Sequence, residues 1–146
     1  LALPATVLAS KGTFKARLST AAELHDVVGS SARGTAVFGR SPEGFSFILF
    51  VRNLSGPITG AHIHGPASET ENAGVLVTLC DPSGQAVVTD CRVVDGVLNI
   101  SGEFNANFIA ADKDDFVAWL ESGQLYVNVH TELNPAGEAR GQIIPQ

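Results

Sequence analysis

The stretch Ala61-His62-Ile63-His64-Gly65-Pro66 decides how this chain is read. A β-strand has a side-chain period of two, so His62 and His64 point to one face and Ala61 and Ile63 to the other. A second stretch, Leu125-Tyr126-Val127-Asn128-Val129-His130-Thr131, repeats the pattern. There Leu125, Val127 and Val129 form an apolar face, and Tyr126, Asn128 and His130 lie opposite. The expectation is that His62, His64 and His130 converge on one metal ion. Imidazole suits copper, zinc, nickel and iron, and the affinity order peaks at Cu(II), so copper is the first expectation and zinc the alternative. The plain alternative is a set of polar residues on an exposed strand face.

Outward from these stretches, the pattern is of short strands punctuated by turn residues. Phe14, Ala16 and Leu18 alternate with polar residues from Thr13 to Leu18, a half-buried strand. Residues 1–10 are small and apolar without a clear period and read as a leading strand or an arm. Residues 19–33 carry Glu23, His25 and Asp26 without β pattern and read as a long connection. Residues 35–40 and 45–52 form a hairpin about Ser41-Pro42-Glu43-Gly44, and Phe38, Phe45, Phe47, Phe50 and Trp119 read as core. Ile58 to His64 and Val75 to Cys80 follow. Val87 to Val94 and Val97 to Phe104 are joined through Asp95-Gly96, a type I′ signal. Residues 107–121 carry a helical stripe and predict one short helix after an irregular lead-in, with Asp112 as N-cap of the second half and Gly123 as terminator. The last hairpin runs from Leu125 to Thr131, over Asn134-Pro135-Ala136-Gly137, and out to Ile144. The fold class is therefore all-β: one antiparallel, immunoglobulin-like β-sandwich domain over residues 1–146 with one short helix. A closed small barrel is the alternative.

Composition narrows the function. The 146 residues are 45% hydrophobic, enough for one core. Fifteen acidic against nine basic residues give a formal charge of -6, and no run of Lys and Arg appears in the sequence, so a nucleic-acid partner is not expected. No apolar stretch is long enough to span a bilayer as a helix. Cys80 and Cys91, the only cysteines, flank an Asp-Pro-Ser-Gly turn at a spacing compatible with a disulfide, free buried thiols being the alternative. The opening at Leu1 rather than Met and the Asn-x-Ser triplets at Asn53 and Asn99 add weak hints of a secreted or otherwise extracytoplasmic protein.

The runs Thr59-Gly60-Ala61-His62-Ile63-His64-Gly65-Pro66-Ala67, Leu120-x-x-Gly123-x-x-Tyr126-Val127-Asn128-Val129-His130-Thr131 and Asn134-Pro135-x-Gly137-Glu138-x-Arg140-Gly141-Gln142-Ile143 resemble the CHRD family, the domain first described in chordin. The resemblance spans roughly residues 32–142. It departs at Glu23-Leu24-His25-Asp26-Val27-Val28, where the family tends to show a Val-Pro-Pro-like segment. CHRD domains resemble, more distantly, the sandwich of Cu/Zn superoxide dismutase. That resemblance matches His62 and His64 to a copper-binding pair, His130 to a late histidine ligand and Arg140 to an anion-guiding arginine. No counterpart to a bridging histidine or zinc loop lies between Gly65 and Val75, so a mononuclear site is implied.

Several residues carry two readings. His25 is a fourth ligand or a surface histidine. Arg140 attracts a small anion or substrate to the metal as a catalytic residue, or pairs with Glu138 or Glu132 to hold the hairpin. Tyr126 and Asn128 orient an imidazole or face solvent. Glu69 and Glu71 solvate a loop. Asp112, Asp114 and Asp115 complement a helix N-terminus rather than bind calcium. At the level of function, a copper protein with redox activity competes with an extracellular module that binds a protein partner through its sheet and performs no catalysis. A metal-assisted isomerase or lyase ranks third.

Overall fold

Period-two alternation sorts the strands around a shared core. In β1 (Thr13–Ser19), β2 (Arg33–Ser41) and β3 (Gly44–Arg52), the side chains of Phe14, Ala16, Leu18, Ala36, Phe38, Phe45, Phe47, Leu49 and Val51 are buried. β4 (Ile58–His64), β5 (Val75–Cys80), β6 (Leu98–Phe104), β7 (Leu125–Thr131) and β8 (Ala139–Pro145) supply the rest. All pair antiparallel in one sheet of order β5-β4-β7-β8-β1-β2-β3-β6. The computed structural model describes residues 12–146; the expected leading strand or arm over residues 1–10 lies outside them. The all-β antiparallel architecture with one short helix is thus realised as a curled sheet. At its middle, β1 and β8 are paired at Phe14–Pro145, Lys15–Ile144 and Ser19–Arg140 but not between.

Aromatic packing closes one end. Phe45 lies 5.3 Å from Phe104 and 5.2 Å from Phe116, ring centre to ring centre. Phe116 belongs to helix α1 (Lys113–Glu121), which Asp112 caps by accepting from the backbone N–H groups of Asp114 and Asp115. The helix stops in a Schellman arrangement: Gln124 N–H bonds Trp119 O, Gly123 N–H bonds Leu120 O, and Gly123 takes φ +73°.

The irregular lead-in before the helix includes a 3₁₀ turn, Ala106–Phe108, capped by Asn105. Two local expectations need correction. Residues 87–94 are not a ladder strand: only single bridges at Val88 and Val94 remain, because this segment hangs from β5 by Val87 and Val88 N–H bonds and by the Cys80–Cys91 disulfide. The Asp95-Gly96 turn forms as expected, with φ +52° and +77° and reciprocal Val94–Val97 bonds, though one flank is no strand. Phe50 is 41% exposed, since it shares parity with Ile48 and Arg52 rather than with inward Leu49 and Val51.

β7 differs from every other strand: six of its seven residues are buried. Leu125, Val127 and Val129 face the core. Tyr126 and Asn128 on the outer face are buried as well, beneath the connection from Thr20 to Ala32 and the loop from Gly65 to Gly74. The histidine motifs lie on this covered polar face.

Candidate metal centre

The β4–β7 register sets the geometry. His62 pairs with Asn128, His64 with Tyr126 and Gly60 with His130, so the three histidines occupy successive rungs of one face. Their ring centres are 4.9 Å (His62–His130), 5.6 Å (His62–His64) and 6.2 Å (His64–His130) apart. One nitrogen from each falls within 4.8 Å of the others. Gly60 makes this possible: a Cβ there would stand 3.0 Å from Cε1 and 3.3 Å from Nε2 of His62. The parity argument from sequence therefore places His62, His64 and His130 together. His25 is outside the group; it is exposed, and its Nε2 is 2.8 Å from Gly137 O.

Hydrogen bonds fix the tautomers of two rings. His64 Nδ1 lies 2.9 Å from Ala73 O and His130 Nδ1 lies 2.9 Å from Pro135 O. A carbonyl oxygen only accepts, so each neutral ring carries its proton on Nδ1 and a lone pair on Nε2. Both Nε2 atoms face Asn128 Oδ1, at 2.9 Å and 3.0 Å. On its other side the Asn128 amide NH2 meets Glu23 Oε2 at 3.5 Å. Two imidazole lone pairs and an ionised carboxylate thus compete for one amide donor. While the NH2 serves Glu23, three lone-pair atoms converge with no proton between them.

Burial keeps the rings neutral. His62 is pushed down to about 4, first by desolvation and then by His130 and His64. His64 and His130 are also lowered, chiefly by desolvation, against the opposing effect of their backbone carbonyl partners. His62 Nδ1 is buried without a hydrogen-bond partner. Glu23, 8% exposed, is raised from 4.5 to about 6 by burial, with His25, Asn128 and Arg140 opposing.

These features fit a metal ion. The donors are neutral imidazoles, as ligation requires. Two of them have the far nitrogen pinned by a carbonyl, the arrangement that orients metal-bound histidine, and a buried nitrogen on the third has no partner. Bonds near 2.0–2.1 Å bring two ligand nitrogens within about 4.2 Å, so side-chain adjustments of under about an ångström suffice.

Arg140 and Glu138 hold the cover over this face. Arg140 is 1% exposed. Its NH1 donates to Asn72 Oδ1 at 2.9 Å, and its NH2 donates to Ser68 O at 3.0 Å and Glu71 O at 2.7 Å. The guanidinium carbon sits 3.5 Å from the Tyr126 ring centre, and His64 stacks on that ring at 4.8 Å. Arg140 pairs with neither Glu138 nor Glu132; an anion would meet it only with the 68–72 loop displaced. That loop meets Arg140 through the Ser68 and Glu71 carbonyls and the Asn72 side chain, while the Glu71 carboxylate accepts from Ser68 N–H within the loop. Glu138, fully buried, accepts from Ser30 Oγ (2.7 Å), Ser55 N (2.8 Å), Thr131 Oγ1 (2.6 Å), Asn134 Nδ2 (3.1 Å) and Ser55 Oγ. Burial alone would raise its carboxyl, but the donors led by Ser55 hold it below the ordinary range.

Sequence reading missed Glu23 and Glu138. One signal was available for Glu138, which stands between Gly137 and Ala139, small neighbours at the start of a buried strand. Glu23 had none of its own; its position follows from Gly137, where a Cβ would collide with the Glu23 carboxylate and come within 2.9 Å of Asn128 Nδ2.

The curled sheet, with three histidines on its partly covered outer face, defines an all-β protein with a candidate metal centre. A model of the CHRD domain matches residues 14–143, and the chain belongs to that family. No curated protein and no solved structure matches it. Among the described residues, no helix is long and apolar enough to cross a membrane.

Proposed function

We propose that this CHRD domain holds one copper ion on His62, His64 and His130. The observation that carries the reading is the convergence of two fixed Nε2 lone pairs and Asn128 Oδ1 on one point, beside the third imidazole, with no proton donor shared among them. A bound cation removes that conflict. Three imidazoles favour Cu(II) by affinity, with zinc as the alternative. Copper supplies a Lewis-acidic centre capable of one-electron exchange. The chain's own part is to keep the rings neutral at pH 7, to hold two tautomers through Ala73 O and Pro135 O, and to shield one side with the loop anchored by Arg140. The Cys80–Cys91 disulfide supports an oxidising, extracytoplasmic setting.

Elemental analysis after dialysis against Cu(II) tests this. One copper per chain in the wild type, absent in the His62→Ala/His130→Ala double variant, is the expected result. No stoichiometric metal, with a folded chain, would leave a protein-binding or structural module as the reading. Superoxide consumption by the loaded protein, against a His64→Ala control, then decides whether the ion turns over.

A further inference from the structure

The sheet assembles a cationic surface that the linear sequence conceals. On the outer face of β1–β2–β3, Ser19, Arg33 and Arg52 form one cross-strand row; Arg17, Thr35 and Phe50 form the next; Lys15, Val37 and Ile48 form a third. Four of the chain's nine basic residues therefore stand together. Arg33 and Arg52 are directly opposite each other, a placement that opposes folding for like charges. Among the described residues no carboxylate lies within ion-pair distance of any of the four, and residues 1–11 contain none. The acidic positions bordering this face are Glu103, two rows beyond Arg17 on the outer strand β6, and Glu69, which shares a neighbouring pocket with Lys15 and Arg17 without pairing with either. Arg17, Arg33, Thr35, Phe50 and Arg52 line a shallow groove of about 520 Å³.

We propose that this groove binds a linear polysaccharide bearing carboxylates, a polyuronate. Guanidinium forks match planar carboxylates in a two-point fashion. Rows of a strand repeat at about 6.8 Å for same-face residues, so successive cations can engage successive charged units of an extended chain. Phe50, 41% exposed in the middle row, offers an apolar plate for a sugar ring, and Thr35 beside it offers a hydroxyl. Because the whole chain carries a formal charge of -6, a polyanion is repelled everywhere except at such a segregated face, which makes the contact local and oriented. The disulfide is consistent with an extracellular setting, where glycans are the abundant polyanions and nucleic acid is not. This surface is separate from the histidine face and is independent of metal.

The test is binding of the full chain to polygalacturonate, with neutral dextran and single-stranded DNA as comparison probes, across a salt series. The wild type is expected to bind polygalacturonate, with affinity falling as salt rises, and to ignore dextran. Arg33→Glu is expected to weaken binding about fivefold or more while the thermal midpoint holds or rises, since an opposed like-charge pair becomes an opposite-charge pair. Arg92→Glu, exposed and away from this face, is expected to leave binding unchanged. Undiminished binding by Arg33→Glu, equal loss in Arg92→Glu, no binding by the wild type, or tighter binding of DNA than of polygalacturonate would each overturn the proposal.

Discussion

Replacing Glu23 by Gln should stabilise the metal-free protein at neutral pH. The carboxyl is 8% exposed, and burial raises it from 4.5 to about 6 despite His25, Asn128 and Arg140 nearby. An acid whose folded value lies above its unfolded value binds its proton more tightly when folded. Its contribution is therefore most favourable below about pH 4.5 and is lost as pH rises through about 6. A displacement of about 1.5 units corresponds to roughly 2 kcal/mol at pH 7.5. Glutamine keeps the shape and removes the charge, so the variant should gain about that amount, or about 4–8 °C in Tm for a chain of this size. Urea unfolding in EDTA at pH 7.5 and pH 4 measures it. The gain should be present at the higher pH and absent at the lower. A variant no more stable at pH 7.5, or equally improved at both, would refute the reasoning.

Glu138→Gln should cost about 3 kcal/mol at pH 7, because an NH2 would face hydroxyl and amide donors that now meet a carboxylate; since that carboxyl is held below its ordinary range, the deficit measured by urea unfolding should narrow as pH falls below about 4.5. The lowered histidines act with the same sign. His62 near 4, with His64 and His130 also depressed, should make the metal-free chain lose stability as pH drops from 6.5 towards 4, and His62→Ala should flatten that slope. Cys80→Ala/Cys91→Ala opens a link across 11 residues and should cost about 3 kcal/mol, read from the shift in denaturation midpoint.

Pleat parity made the strands and the histidine trio legible in the sequence, because a two-residue period leaves each side chain a choice of only two faces. It could not show that the outer face of β7 is covered. That depends on where residues 20–32 and 65–74 cross the sheet, and Glu23 and Arg140 acquire their roles only through those crossings. Parity misapplied explains Phe50, grouped with the core by composition although it alternates outward. The residues 87–94 look like a strand by β-branched content, yet the disulfide and two backbone bonds to β5 hold them in an irregular course. The cationic face escaped notice because Lys15, Arg17, Arg33 and Arg52 come from three strands and are neighbours only across the ladder.

Electron paramagnetic resonance of the Cu(II)-titrated chain bears most directly on the metal centre. The expected spectrum is that of a single axial copper site with hyperfine coupling from three imidazole nitrogens, reduced to two in His130→Ala. A spectrum of free or heterogeneous copper, or one unchanged by His130→Ala, would contradict the assignment.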